Sequence, residues 1–163
     1  MWNWLSRLCG GSPASPTVEA ATPRDLPRLV DLHGAAFHRG WSEDEFAAML
    51  TETNTLVQVL KARRAVIGFA ASRIAADEAE LLTIALDARH RGRGLSRGLL
   101  QTHLGHLAGR GVRQVFLEVE ENNQPARRLY DRAGFAIVGR RERYYRTADG
   151  TQLNAIVMRR DLS

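Results

Sequence analysis

The residues in this chain with the densest chemical potential are Arg91-Gly92-Arg93-Gly94-Leu95-Ser96-Arg97. Glycine lets a backbone turn tightly and approach a ligand closely. A helix starting there would add unpaired N–H groups and the positive end of a dipole, which together suit a phosphate. Arg91, Arg93 and Arg97 add full positive charge. Two familiar phosphate loops are excluded. No G-x-x-x-x-G-K-[ST] is present, and Gly92, Gly94 and Gly98 give G-x-G-x-x-x-G, one residue longer than a dinucleotide fingerprint. On these residues alone, a tight turn with its arginines in solvent explains the stretch equally well.

A buried strand must lead into that loop and a helix must leave it. Leu81–Leu86 is almost wholly apolar, as a strand covered on both faces should be. After the loop, Leu95, Leu99, Leu104 and Leu107 return to one helical face with polar residues between them. A second such unit follows. Val112–Val119 reads as a buried strand, and Asn122-Asn123-Gln124-Pro125 opens a helix that Gly134 stops.

Upstream, Val18–Ala21 reads as a short strand. Thr22 caps a helix with Pro23 in its first turn, running to Phe37. Ser42 and Glu45 form a capping box for a second helix. Thr55–Leu60 and Ala65–Ile74 read as a hairpin with Gly68 at a bulge, and Phe135–Arg143 with Gln152–Arg160 as a closing strand pair. Residues 1–16 read as a flexible tail ahead of a single domain, 17–163, and are too interrupted for a signal peptide.

At 163 residues the chain suffices for one substantial core. Hydrophobic residues make up 44 %, yet no apolar run reaches the ~18 residues a membrane span needs. Cys9, the single cysteine, rules out an internal disulfide and fits a reducing, cytoplasmic setting. The net charge of +5 favours an anionic partner such as RNA, a ribosome surface or a nucleotide-bearing cofactor. The excess is arginine, with Lys61 the only lysine, and that bias alone does not specify nucleic acid.

Arg91-x-x-Gly94-x-Ser96 resembles the Q/R-x-x-G-x-G/A pyrophosphate loop of the GNAT acetyltransferases. Arg89-x-x-Gly92-x-Gly94 fits the same pattern in another register, so the register stays open. The Arg91 register keeps the family's spacing, at the cost of Ser96 in a position usually held by glycine or alanine. Asn123, Ala126, Leu129, Tyr130, Gly134 and Phe135 match a second hallmark, N-x-x-A-x-x-L-Y-x-x-x-G-F. An asparagine cap and a glycine stop explain these residues singly, but not both motifs in order. Leu117-Glu118-Val119, Arg141 to Tyr145, Asp149-Gly150 and Ala155 to Met158 narrow the resemblance to the RimI-type ribosomal-protein-alanine N-acetyltransferases. Trp41-Ser42 is similar to a tryptophan-serine in that family, although core packing is the plainer account of Trp41. Arg146 departs from the family's usual proline, and Leu153-Asn154 replaces an acidic pair.

The resemblance implies a mixed α/β GNAT fold, a mostly antiparallel twisted sheet of six or seven strands flanked by about four helices. It implies acetyl-CoA as cosubstrate, with pantetheine along Ile84-Ala85-Leu86, pyrophosphate on the N–H groups of Gly92–Arg97, and Asn123 on the cofactor. Glu118 becomes the candidate base, with Glu120 and Glu80 as rivals, and Tyr130 the candidate acid. Trp41, Tyr144 and Tyr145 fall on the acceptor side. No metal is expected, because His103 and His106 lack completing ligands. The implied acceptor is a protein N-terminal alanine amine, such as that of a ribosomal protein. A small-molecule amine, or a non-catalytic acyl-CoA or RNA-binding role, are the rivals. Monomer and dimer are left open.

Overall fold

A computed structural model describes residues 15–146 and 149–162, and of residues 144–146 the backbone alone. Strands β1 (Thr17–Ala20), β2 (Thr55–Ala62), β3 (Ala65–Ala75), β4 (Glu78–Leu86), β5 (Gln114–Glu120), β6 (Ala136–Arg146) and β7 (Gln152–Asp161) form one sheet. Their order is β1-β2-β3-β4-β5-β7-β6. Helices α1 (Leu26–Ala36), α2 (Glu43–Thr51), α3 (Leu95–Gly109) and α4 (Gln124–Arg132) flank it. This is the mixed, mostly antiparallel architecture expected, and among the described strands only β4 and β5 run parallel.

The central strands β2 and β3 are covered on both faces, which explains their continuous apolar runs. Val57, Val59, Phe69, Ala71 and Ala85 pack under α1 and α2. Leu81, Leu117 and Val119 pack with Leu100, Leu104 and Leu107 of α3 and Tyr130 of α4. Two buried histidines tie helices to these layers. His103 of α3 is bonded to Ser72 Oγ and Gln58 Oε1, each at 2.8 Å. His33 of α1 stacks between Phe37 and Trp41 at 4.4 and 4.3 Å.

The parallel pairing is short. It runs from Glu78↔Gln114 to Leu81↔Leu117 and then stops. At that point the β3–β4 register passes from Ser72↔Leu81 to Ala71↔Thr83, leaving Leu82 as a bulge. Bulges bend a strand and increase its twist. Beyond Leu82, β4 pairs only with β3, and beyond Leu117, β5 pairs only with β7. The strands therefore part as a fork.

Three local details differ from the sequence expectations. Pro23–Asp25 forms a 3-10 turn before α1 instead of the start of one long helix. Pro27 lacks the N–H that would bond back one α-turn, and Asp25 accepts from Thr22 N at 2.8 Å instead. The bulge expected at Gly68 falls beside it, at Ile67. Gly68 serves close approach, since a Cβ there would lie 2.9 Å from the Ala85 carbonyl. β6 continues past Arg143 to Arg146, with an irregular register between Arg141 and Tyr145.

Candidate active site

The glycine loop follows β4 and delivers the chain into α3. Gly92 and Gly94 both have φ of +73°, the left-handed region that favours glycine, and Gly94 is the N-cap of α3. The first-turn N–H groups of Leu95, Ser96 and Arg97 therefore point out of the helix start. A Cβ at Gly92 or Gly94 would meet nothing within 4 Å, so the space over the loop is open. Arg91, Arg93 and Arg97 are exposed, and Arg91 Nε donates to the Leu86 carbonyl at 3.3 Å. Arg89 is engaged elsewhere, giving Asp87 two side-chain bonds at 3.1 and 3.0 Å. That leaves Arg91 nearer the turn into α3 and bears on the choice of register.

Ile84, Ala85 and Leu86 lie on the arm of the fork that no longer pairs with β5. The edge facing β5 is thus open for an extended ligand to add like a strand. Thr83 stands beside the bulge, and its buried hydroxyl has no hydrogen-bond partner among the described residues. Asn123 caps α4, its Oδ1 accepting from Ala126 N at 3.2 Å. Its Oδ1 is therefore already used locally.

Over the closed, parallel-paired end of β4 and β5 lies a groove of about 340 Å³, lined by Arg73, Glu78, Glu80, Phe116, Glu118 and Arg141 among others, and it reaches the fork at Glu118. Phe116 and Glu118 share a face of β5 because strand side chains alternate. Glu80 pairs with Phe116 across the parallel ladder, so Glu80 and Glu118 enter the same groove. Glu120 shares the face of Glu118 but does not line the groove. Glu118 has only 15 % of its side chain exposed, and Arg141 Nη1 lies 2.9 Å from its Oε1. Tyr130 is buried on the opposite face of β5, edge-on to Phe135 with ring centroids 5.9 Å apart. The candidate base and acid therefore lie on opposite faces of one strand.

Trp41 is half-buried in the α1–α2 connection. Its backbone N–H donates to His33 Nδ1 at 3.0 Å, and its ring also meets Phe46 edge-on at 5.4 Å. Burial drives His33 down to about 4, so the ring is neutral at pH 7. Trp41 thus has a packing role and does not line the groove. The Tyr144 and Tyr145 side chains fall outside the described residues, and the backbone of Tyr145 pairs with Leu153. Asn154, in the replaced acidic pair, braces the β6–β7 hairpin. Its Oδ1 accepts from Arg143 N at 3.1 Å, where φ is +55°, and its Nδ2 donates to Glu121 Oε2 at 2.8 Å. His103 has both ring nitrogens engaged, and burial pushes it down to about 3.

A forked parallel strand pair followed by a glycine loop at a helix start defines the class of protein. The sequence profile described as the Acetyltransferase (GNAT) family matches residues 26–135. The chain belongs to the GNAT acetyltransferase family. It is 34 % identical over 142 residues to ribosomal protein bS18-alanine N-acetyltransferase of Escherichia coli strain K12, covering 87 % of this chain and 95 % of that protein. It is 33 % identical over 151 residues to N-alpha-acetyltransferase RimI of Mycobacterium tuberculosis strain H37Rv, covering 89 % and 92 %. The crystal structure of the Escherichia coli ribosomal-protein-S18-alanine N-acetyltransferase matches with a TM-score of 0.84 at 33 % identity, over 91 % of this chain and 95 % of that one.

Four features were not singled out from the sequence: the Leu82 bulge, the Glu118–Arg141 pair, the Asn154 brace and the partners of Asp87. Each joins residues from different elements or depends on strand register. The bulge left no signal either, because the run Leu81–Leu86 is too uniformly apolar to reveal a skipped residue.

Proposed function

We propose that this protein transfers the acetyl group of acetyl-CoA to the N-terminal α-amine of alanine on ribosomal protein bS18. The observation that carries the reading is the fork, with an open strand edge and an open glycine loop beyond Leu82 and, at its closed end, a carboxylate-lined groove that reaches it at Glu118. Identity across nearly the full length of the bS18-alanine N-acetyltransferases supports the choice of acceptor. The open space over Gly92 and Gly94 and the free helix start fit a pyrophosphate. Leu95, Ser96 and Arg97 would hold it by N–H, Arg91 and Arg93 by charge, Ile84–Leu86 would align the pantetheine, and Asn123 would border it. The acetyl donor is a substrate, and it supplies a thioester carbonyl.

The reaction forms a C–N bond to the acceptor amine and breaks the C–S bond. One proton leaves nitrogen and one reaches the departing sulfur. Glu118 takes the first, directly or through water, from the groove side. Tyr130 gives the second from the helix side. A phenol near pKa 10 is a weaker acid than a thiol near 8.5, so Tyr130 acts through a close hydrogen bond. A single carboxylate suffices because an α-amine near pKa 8 is roughly a tenth neutral at pH 7, whereas lysine is over a hundredfold scarcer in that form. Trp41 shapes the acceptor end through the α1–α2 connection, with Tyr144 and Tyr145 on the β6–β7 hairpin.

With a ribosomal protein as its acceptor, the protein would act in the cytoplasm, where ribosomal proteins are made. Residues 17–163 form the acting domain, and residues 1–16 are dispensable for turnover on short peptides. Coenzyme A release against peptides with different N-terminal residues tests the reading. Alanine should lead the panel; release only with a small-molecule amine would contradict it.

A further inference from the structure

Asp87 ends β4 and opens the turn into the glycine loop. Its side chain is only 10 % exposed although it bears a full charge. Burying a charge is costly unless donors surround it. Arg89 supplies its backbone N–H to Oδ1 at 3.0 Å, its Nε to Oδ1 at 3.1 Å and its Nη2 to Oδ2 at 3.0 Å. Arg28 of α1 donates its Nη2 to Oδ2 and its Nε to the Val66 carbonyl at 3.1 Å. The Asp87 N–H donates to the Ile67 carbonyl at 2.8 Å, fixing the same residue to β3.

A carboxylate beside a phosphate-binding loop is unfavourable by charge alone. Its place is better explained by geometry, because it joins the loop's entry turn to a helix on the opposite face of the sheet. We propose that Asp87 is a positioning residue for the cofactor loop, fixing the loop's entry turn to α1 through Arg28 so that the loop keeps its place against the sheet. The inference rests on the functional reading above, since it requires the loop to hold acetyl-CoA.

The two physical accounts predict opposite signs. If Asp87 acts only through its field, Asp87→Asn should bind acetyl-CoA more tightly and Asp87→Glu should bind it unchanged. If Asp87 positions the loop, both variants should bind about 3- to 10-fold more weakly, with kcat at saturating substrates within about twofold of wild type. That split between affinity and kcat would not follow from a generally loosened fold. Arg28→Gln should weaken binding by about threefold, and the double variant with Asp87→Asn should match Asp87→Asn alone.

Calorimetry with acetyl-CoA on the full chain reads the affinities, and steady-state coenzyme A release with a saturating alanine peptide reads kcat. Weaker binding in Asp87→Glu with kcat retained supports the proposal even if Asp87→Asn folds poorly. Unchanged or tighter binding in Asp87→Glu overturns it, as do additive losses in the double variant. A wild-type protein that binds no acetyl-CoA overturns the functional reading and this inference with it.

Discussion

The loop side of the cleft comes from one stretch of chain, β4 through α3, whereas the groove side is assembled from β3, β4, β5, β6 and β7. On the loop side, backbone does most of the work: two left-handed glycines, a helix start and an open strand edge. On the groove side, side chains do it. Glu118 is held by Arg141 from another strand, and Asn154 braces the hairpin that carries Arg141. Backbone sites tolerate side-chain change and resist changes of conformation. Side-chain sites do the reverse. Substitutions should therefore separate binding from turnover.

The largest effect should come from the groove. Glu118→Gln should lower turnover by about 10²–10⁴ while leaving acetyl-CoA affinity intact, with partial recovery at higher pH, where more amine is neutral. Full activity in steady-state assays would remove Glu118 as the base and promote Glu80. On the loop side, Gly94→Val should weaken acetyl-CoA binding about 10- to 100-fold. A β-branched residue in the left-handed region costs roughly 1–2 kcal/mol, and its methyls would stand in the open space over the loop. Unchanged affinity by calorimetry would remove the loop from the site.

Acid should weaken the fold that carries both sides, because α1 and α3 each bear a neutral buried histidine. His33 underlies the α1–α2 connection and His103 holds α3 to β2 and β3, with folded values of about 4 and about 3 against an ordinary 6.5. The unfolded chain takes up these protons first, so stability is full above pH 6.5 and falls as the pH drops below it. The loss for each continues down to its folded value. Each histidine adds a slope of up to about 1.4 kcal/mol per pH unit in that window. Denaturant midpoints measured between pH 7 and 5 should decline; a flat profile would contradict the buried neutral rings. The smallest effect should be that of Ser96→Gly, within about twofold of wild type in acetyl-CoA affinity or slightly better. A large loss would favour the Arg89 register.

The same contrast explains what could be read from the sequence. The loop, the α4 box from Asn123 to Phe135 and the Ser42–Glu45 cap are local patterns, and each stands where its residues predict. The fork was not readable, because a skipped residue at Leu82 leaves no mark in a run of apolar side chains. Nor was the partnering of Glu118 with Arg141 or of Asp87 with Arg28, since these pairs are 23 and 59 residues apart and meet only after the sheet forms. Trp41 resembles a family position, yet its structural partners are the aromatic rings beneath it.

The central claim concerns which nitrogen receives the acetyl group. Mass spectrometry of a bS18 N-terminal peptide, bearing both a free alanine α-amine and an internal lysine, tests it most directly after incubation with the protein and acetyl-CoA. The account predicts acetyl on the alanine α-amine, with lysine modified more than a hundredfold more slowly, as the neutral fractions of the two amines require. Acetyl on the lysine side chain, or a peptide left unmodified by protein that turns over a small-molecule amine, would contradict it.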